Sequence, residues 1–246
     1  MTEQEMQALI DARVEEKTQE FIKKVGSLVD SVVLGLATVV ESRDNSTGGH
    51  IRRTSECVKT FMEALADDPD YDFDRRFVFS VIKAAPMHDL GKLAVPDAIL
   101  QKKGRFTPEE YEQMKGHSRA GAKLVYEVLS EIPDAAYLKL AVNVAHYHHE
   151  KWDGSGYPAH LSGEQIPMEA RIMALADVFD ALVSKRCYKE SYSYDRAFSI
   201  IEESLGTHFD PKLGAKFVAN RPKFEALYDQ LFEEEDLLFA LQNRQG

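Results

Sequence analysis

The sequence predicts an all-α protein: a helical bundle with an N-terminal helical extension. Three observations predict it. Apolar residues recur at alternating three- and four-residue steps, most clearly in the first forty residues. A strong helix-start signal stands at Thr107 to Glu110. Strand-length alternating runs persist nowhere, and there is no internal repeat or low-complexity tract.

Residues 3–43 contain no proline, and Ile10, Val14, Phe21, Val25, Leu28, Val32 and Val39 form an apolar stripe. The pattern predicts one long amphipathic helix or two in sequence. Such a helix either packs on the domain that follows or pairs as a coiled-coil dimer or signalling helix. Lys17 and Gly35 weaken the stripe. Residues 1–43 are therefore read as an extension and 44–246 as the main domain.

Residues 42–49 (SRDNSTGG) form a turn-rich break. Ile51 to Ala66 follows as a helix and ends in the acidic loop Asp67 to Asp70. Phe73 to Ala85 reads as the next, interrupted by Pro86. Thr107 is an N-cap, Pro108 stands at the first helical position, and Glu110 completes a capping box. Further helices are predicted over Ser118 to Ser130, Ala135 to Tyr147, Glu169 to Ser184, Tyr194 to Leu205, Pro211 to Ala219 and Phe224 to Leu241.

Composition narrows the function classes. The net charge is −11, which argues against a nucleic-acid polymer as partner, since that needs a basic surface. A small anionic substrate remains compatible if metals and a few cations reverse the field locally. Cys57 and Cys187 are the two cysteines, and neither lies in a CxxC pair, so a thiolate zinc site is excluded. The N-terminus does not resemble a signal peptide, and no uninterrupted run of 18 apolar residues occurs. A cytoplasmic protein without a membrane span is expected.

Chemistry concentrates in His50, His88, Asp89, His117, His148, His149 and Asp177. These are ligand types for mid-hardness divalent ions, standing at the ends of separate helices. Adjacent His88 and Asp89 would diverge by about 100° on a regular helix, so a bend near Pro86 is expected, with Asp89 able to bridge two ions. Asp177 stands among apolar neighbours, and its carboxylate is expected to be buried and partnered. A lone buried histidine is more often a hydrogen-bonded core residue than a ligand. The combination points instead to metal-assisted hydrolysis. His146, His160 and His208 read as structural, and Trp152 as packing its own loop.

The order and context of these residues carry a resemblance. The segments are Gly48-Gly49-His50 with Arg53, His88-Asp89-Leu90-Gly91-Lys92, His117, His148-His149 through Gly156-Tyr157-Pro158, Ala176-Asp177-Val178-Phe179-Asp180, Arg186-Cys187-Tyr188-Lys189 and Gly206 to Pro211. Over about residues 40–220 the chain resembles the HD-GYP family, a branch of the HD phosphohydrolases. The resemblance implies hydrolysis of cyclic di-GMP to pGpG or GMP by a hydroxide shared between metal ions. It implies one ion held by His50, His88, Asp89 and Asp177, and a second held by Asp89, His117, His148 and His149. Asp89 and Lys92 are the implied catalytic groups. Lys92, Tyr157, Arg186 and Lys189 are the implied substrate contacts.

Members with three metals carry a glutamate four residues before the first histidine. Here Ser46 stands there, so two ions are expected, iron or manganese, since the set contains no soft sulfur. Cyclic GMP-AMP as substrate, or a non-catalytic nucleotide-binding module, are the alternatives. A homodimer through the N-terminal helix and an upstream sensor are the expected partners besides the cyclic dinucleotide.

Overall fold

A computed structural model describes residues 2–44, 48–185 and 191–242. Ten α-helices and short 3-10 turns make up the regular structure of these residues, and no strand is found among them. The all-α expectation holds.

Helix α1 is a single helix, Glu3–Arg43, started by a Thr2–Glu5 capping box. Only Val33, Ala37 and Val40 are buried on it. Its C-terminal third therefore packs on the domain, while Leu9, Val14, Phe21 and Leu28 face outward. Arg43 clamps this end by bonding the carbonyls of Leu93 (3.0 Å) and Val95 (3.3 Å) and the Asp97 carboxylate (2.6 Å). One stretch of α1 has a mean hydropathy of 1.5 over 18 residues, with at most two charged residues. By length and composition it is apolar enough to cross a membrane, although no uninterrupted run of 18 apolar residues occurs in it. Occasional charges interrupt the run without lowering its mean far enough. Of that stretch 22% is buried against the protein, and core helices of water-soluble proteins share such composition.

Helix α2 (His50–Ala66) begins at Gly49, whose φ of +81° suits a residue without a Cβ. It packs between α3 (Arg75–Ala84), α7 (Met168–Val183) and α10 (Arg221–Gln242). After α3 the chain tightens into a 3-10 turn at Ala85–Met87 and another at Leu90–Ala94. The short α4 (Asp97–Leu100) follows. Next, α5 (Pro108–Leu129) lies against α6 (Ala135–Tyr147), and α8 (Tyr194–Glu203) and α9 (Pro211–Ala219) close the far side.

The capping box at Thr107 forms as expected, but the helix it starts does not stop before Ser118. It runs unbroken through Gly116 and His117 for 22 residues. Gly116 lowers helix propensity without breaking the ladder. The core centres on Phe61, Phe179, Phe217, Phe224 and Tyr228, all fully buried. Phe217 and Phe224 stack at 4.1 Å, and Tyr228 meets Phe179 edge-on at 5.0 Å. This aromatic block fixes α7 and α10 against α2.

Candidate metal centre

The centre is assembled from two helix ends, which carry His50 and His148, from the interiors of α5 and α7, which carry His117 and Asp177, and from one break, which carries His88 and Asp89. Asp89 ends a helical run in the bridge region (φ −103°, ψ 6°), between the two 3-10 turns. The expected bend at Pro86 is thus a change of helix type, and it turns His88 and Asp89 toward one point. Gly91 is required here. A Cβ on it would strike the His117 carbonyl and the Gly121 amide, so its absence lets this segment lie directly on α5.

The two oxygens of Asp89 face different histidine sets. Oδ2 lies 3.6 Å from His88 Nε2 and 3.9 Å from His50 Nε2. Oδ1 lies 3.5 Å from His117 Nε2 and 3.9 Å from His148 Nε2. Donor atoms of His50, His88 and Asp89 all lie within 4.8 Å of one another, as do those of Asp89, His117, His148 and His149. Asp177 stands at the edge of the first group, with Oδ1 3.5 Å from His50 Nε2. It is not fully buried as expected, since 17% of its side chain is exposed. Its carboxylate opens onto a cleft, and the buried carboxylate of α7 is Asp180, at 0%.

The imidazoles are presented in a common sense. Nδ1 of His88, His117 and His148 sits 2.8, 2.7 and 3.0 Å from the carbonyls of Ala85, Met114 and Val144. Nδ1 of His50 sits 2.7 Å from Asp180 Oδ2. A carbonyl or carboxylate can only accept, so Nδ1 carries the proton and Nε2 turns its lone pair to the centre. The Nε2 atoms of His50 and His88 are 3.3 Å apart, and those of His117 and His148 are 3.4 Å apart. Lone pairs this close repel unless a cation sits between them. The donor set therefore fits divalent ions.

Electrostatics agree for three of the rings, while on His50 burial opposes the charge but Asp180, Asp177 and Asp89 together raise its pKa. Burial, then the neighbouring imidazoles His88 and His117, push His148 down to about 3. Burial followed by the same kind of crowding holds His149 far below the ordinary histidine value, and burial also lowers His88. Metal ligation needs these neutral forms. Burial opposes the charge on Asp89, but Lys92 and then the histidines hold its carboxyl well below the usual range. Lys92 Nζ bonds Asp89 Oδ2 at 2.8 Å and Asp44 Oδ2 at 2.9 Å.

The centre lies at the floor of a cleft of about 850 Å³. Lys92, Lys102, Lys103, Arg105 and Lys151 line it, against the carboxylates Asp44, Asp89 and Asp177. Tyr157 also lines it, its ring tilted over His149 at 4.8 Å. Glu150 braces the Tyr157 loop by accepting from the amides of Ala159 (2.6 Å) and Leu161 (3.1 Å). Gly156 packs so closely on the Glu150 and Lys151 backbone that a Cβ there would clash. His208 lines the cleft too, and its carbonyl accepts from the Trp152 amide at 3.0 Å. Trp152 packs its loop as expected, beneath Arg171 at 5.7 Å. Arg186, Lys189, Ser46 and Cys187 lie outside the described residues, and Cys57 is a free, buried thiol.

Sequence reasoning missed Asp180, Asp44, Glu150 and the 102–105 segment. Asp180 had a usable signal. Asp177 and Asp180 are three apart on α7, as His50 and Arg53 are on α2, so each pair shares a helix face. Asp44 and Lys102 to Arg105 lie in connections, where no periodicity points to the cleft.

A helical bundle with histidines and a shared aspartate converging under a cationic cleft has the donor set of a divalent-metal centre. The HD domain family pattern matches residues 36–213, and the chain belongs to that family, on its HD-GYP branch. A cyclic di-GMP phosphodiesterase of Vibrio cholerae is 44% identical over 214 residues, covering 86% of this chain and 43% of the relative. A 3'3'-cGAMP-specific phosphodiesterase 2 of the same organism is 36% identical over 196 residues, covering 80% and 35%. The chain spans about half the length of the first curated relatives it matches. The crystal structure of a cyclic GMP-AMP-specific phosphodiesterase of V. cholerae superposes with a TM-score of 0.58 at 18% identity, covering 80% of this chain and 50% of that one. At that identity the likeness concerns the fold.

Proposed function

We propose that this domain hydrolyses a phosphodiester bond of a cyclic dinucleotide, cyclic di-GMP foremost, at a centre of two divalent ions. The observation that carries the proposal is the division of Asp89, one oxygen toward His50 and His88 and the other toward His117 and His148. His50, His88, Asp89 and Asp177 would hold one ion, and Asp89, His117, His148 and His149 the other. Iron and manganese suit this nitrogen and oxygen set. When bound, such ions activate water near neutral pH and neutralise charge on the phosphate oxygens.

The chain's own residues do the rest. Lys92 balances Asp89 and presents a fixed positive charge beside it. Lys103, Arg105 and Lys151 attract the dianionic substrate into the cleft, reversing locally the sign of a protein of net charge −11. Tyr157 offers a ring and a hydroxyl at the wall. Arg186 and Lys189 are assigned to phosphate contact through the family resemblance. The cleft volume lies in the range of small-molecule sites, roughly 300–1,000 Å³. No serine or cysteine nucleophile is required.

Cyclic GMP-AMP is the second reading, favoured by the similarity to the cGAMP-specific relative. The ligand set addresses phosphate and leaves the bases to the cleft walls. We assign the domain to the cytoplasm under an upstream sensor, with the exposed stripe of α1 pairing two copies. The test is hydrolysis of cyclic di-GMP and cyclic GMP-AMP by anaerobically purified protein loaded with manganese or iron, with products separated by chromatography. Metal-dependent cleavage of cyclic di-GMP is expected. Protein that holds two ions and cleaves neither compound refutes the proposal.

A further inference from the structure

We infer that Glu235 of the C-terminal helix is a positioning residue for one half of the metal centre, acting on His50 through Arg53 and Asp180. The inference rests on the two-ion reading above.

His50 differs from its partners in how its ring is held. His88, His117 and His148 bond Nδ1 to carbonyls three or four residues back in their own segments. Their orientation is set locally. His50 instead depends on Asp180, contributed by α7. Asp180 is wholly buried, so its charge needs compensation from inside the protein. Arg53 supplies it, with Nε 2.7 Å from Oδ1 and Nη2 3.3 Å from Oδ2. Ser184 adds a hydroxyl at 3.0 Å.

Arg53 is itself buried, and its remaining charge is taken by Glu235. Nη1 lies 2.7 Å from Oε1 and 3.0 Å from Oε2. The Gly48 carbonyl completes its bonding at 3.0 Å. The same glutamate packs on Gly49, the residue that starts α2, where a Cβ would strike its Oε1. Glu235 thus touches both the guanidinium that holds Asp180 and the turn that places His50. Without it, the buried guanidinium keeps Asp180 as its one charged partner among the described residues and draws that carboxylate from His50. Carboxylates behind a ligating imidazole fix its orientation and basicity, and losing one typically costs 10–100-fold in metal affinity. The effect falls on the ion that uses His50 and spares the ion held by His117, His148 and His149.

The neighbouring pair supplies the control. Glu234 and Arg52 also join α10 to α2, but on the surface and with no path to His50. The experiment titrates the full chain with Mn(II) against a chromophoric chelator, with bound metal counted after dialysis. Glu235→Ala is expected to weaken one of two sites by about tenfold, leave the other unchanged and keep the helical circular dichroism. Excess Mn(II) should restore its turnover. Glu235→Gln, which keeps the shape and removes the charge, should weaken the same site by less, and it serves if the alanine variant folds poorly. Glu234→Ala should bind both ions like the wild type. Two wild-type affinities in both Glu235 variants, or an equal loss in Glu234→Ala, overturn the inference. A wild-type chain that binds no ion overturns the two-ion reading itself.

Discussion

The Nε2 atoms of His117 and His148 stand 3.4 Å apart with their lone pairs toward one point. That arrangement stores repulsion in the metal-free protein and gives it two signatures. A divalent ion should stabilise the fold strongly, by about 2.7 kcal/mol at a hundredfold excess over its dissociation constant. Thermal melts with and without chelator read this as a rise in Tm with Mn(II).

The second signature is acid sensitivity. His148 is depressed to about 3 by burial and its neighbours, against an ordinary value of 6.5. Between those values the unfolded chain binds a proton there and the folded chain does not. Stability therefore falls as pH drops from about 6.5 toward 3. Urea melts of the metal-free protein should show that slope, and His148→Gln should flatten it. An unchanged slope in the variant would assign the acid sensitivity to other groups.

Asp89→Ala removes the one side chain common to both histidine sets. It should abolish turnover and lower the occupancy of both ions together, unlike any single histidine variant. Near-normal hydrolysis with two ions bound would dismiss the bridging assignment.

Gly91→Ala tests the contact between the His88–Asp89 segment and α5. The added methyl meets the His117 carbonyl and the Gly121 amide, which are backbone atoms that cannot swing aside. Overpacking of this kind costs about 1–3 kcal/mol. A lower urea midpoint with weakened metal binding is expected. An unperturbed variant would mean that the two segments separate easily.

Arg105→Ala addresses the cleft wall. Arg105 is exposed, lines the cleft and is not among the candidate ligands. The Michaelis constant for cyclic di-GMP should rise roughly tenfold, equal to about 1.4 kcal/mol, with kcat and metal content preserved. Loss of metal in this variant would show that the side chain supports the centre instead.

The helices were legible because their signals are local. Thr107, Pro108 and Glu110 predict a start that the structure reproduces atom for atom. From sequence a separate helix is expected from Ser118, whereas the structure carries one helix through Gly116 and His117 as it packs on α6. The candidate ligands were legible because histidine and aspartate at those places match a known family. Asp180 was legible only in part: its spacing puts it on the helix face of Asp177, but which of the two aspartates is buried follows from the crossing of α2 and α7. The burial expected for Asp177 belongs to Asp180.

Three of the imidazoles take their orientation from carbonyls of their own segments, so most of the cradle exists before any ion arrives. Replacing one first-row ion by another then demands no rebuilding of the walls. Discrimination among iron, manganese and their neighbours would fall to whichever ion the cell keeps in supply, and the protein's output would follow that supply.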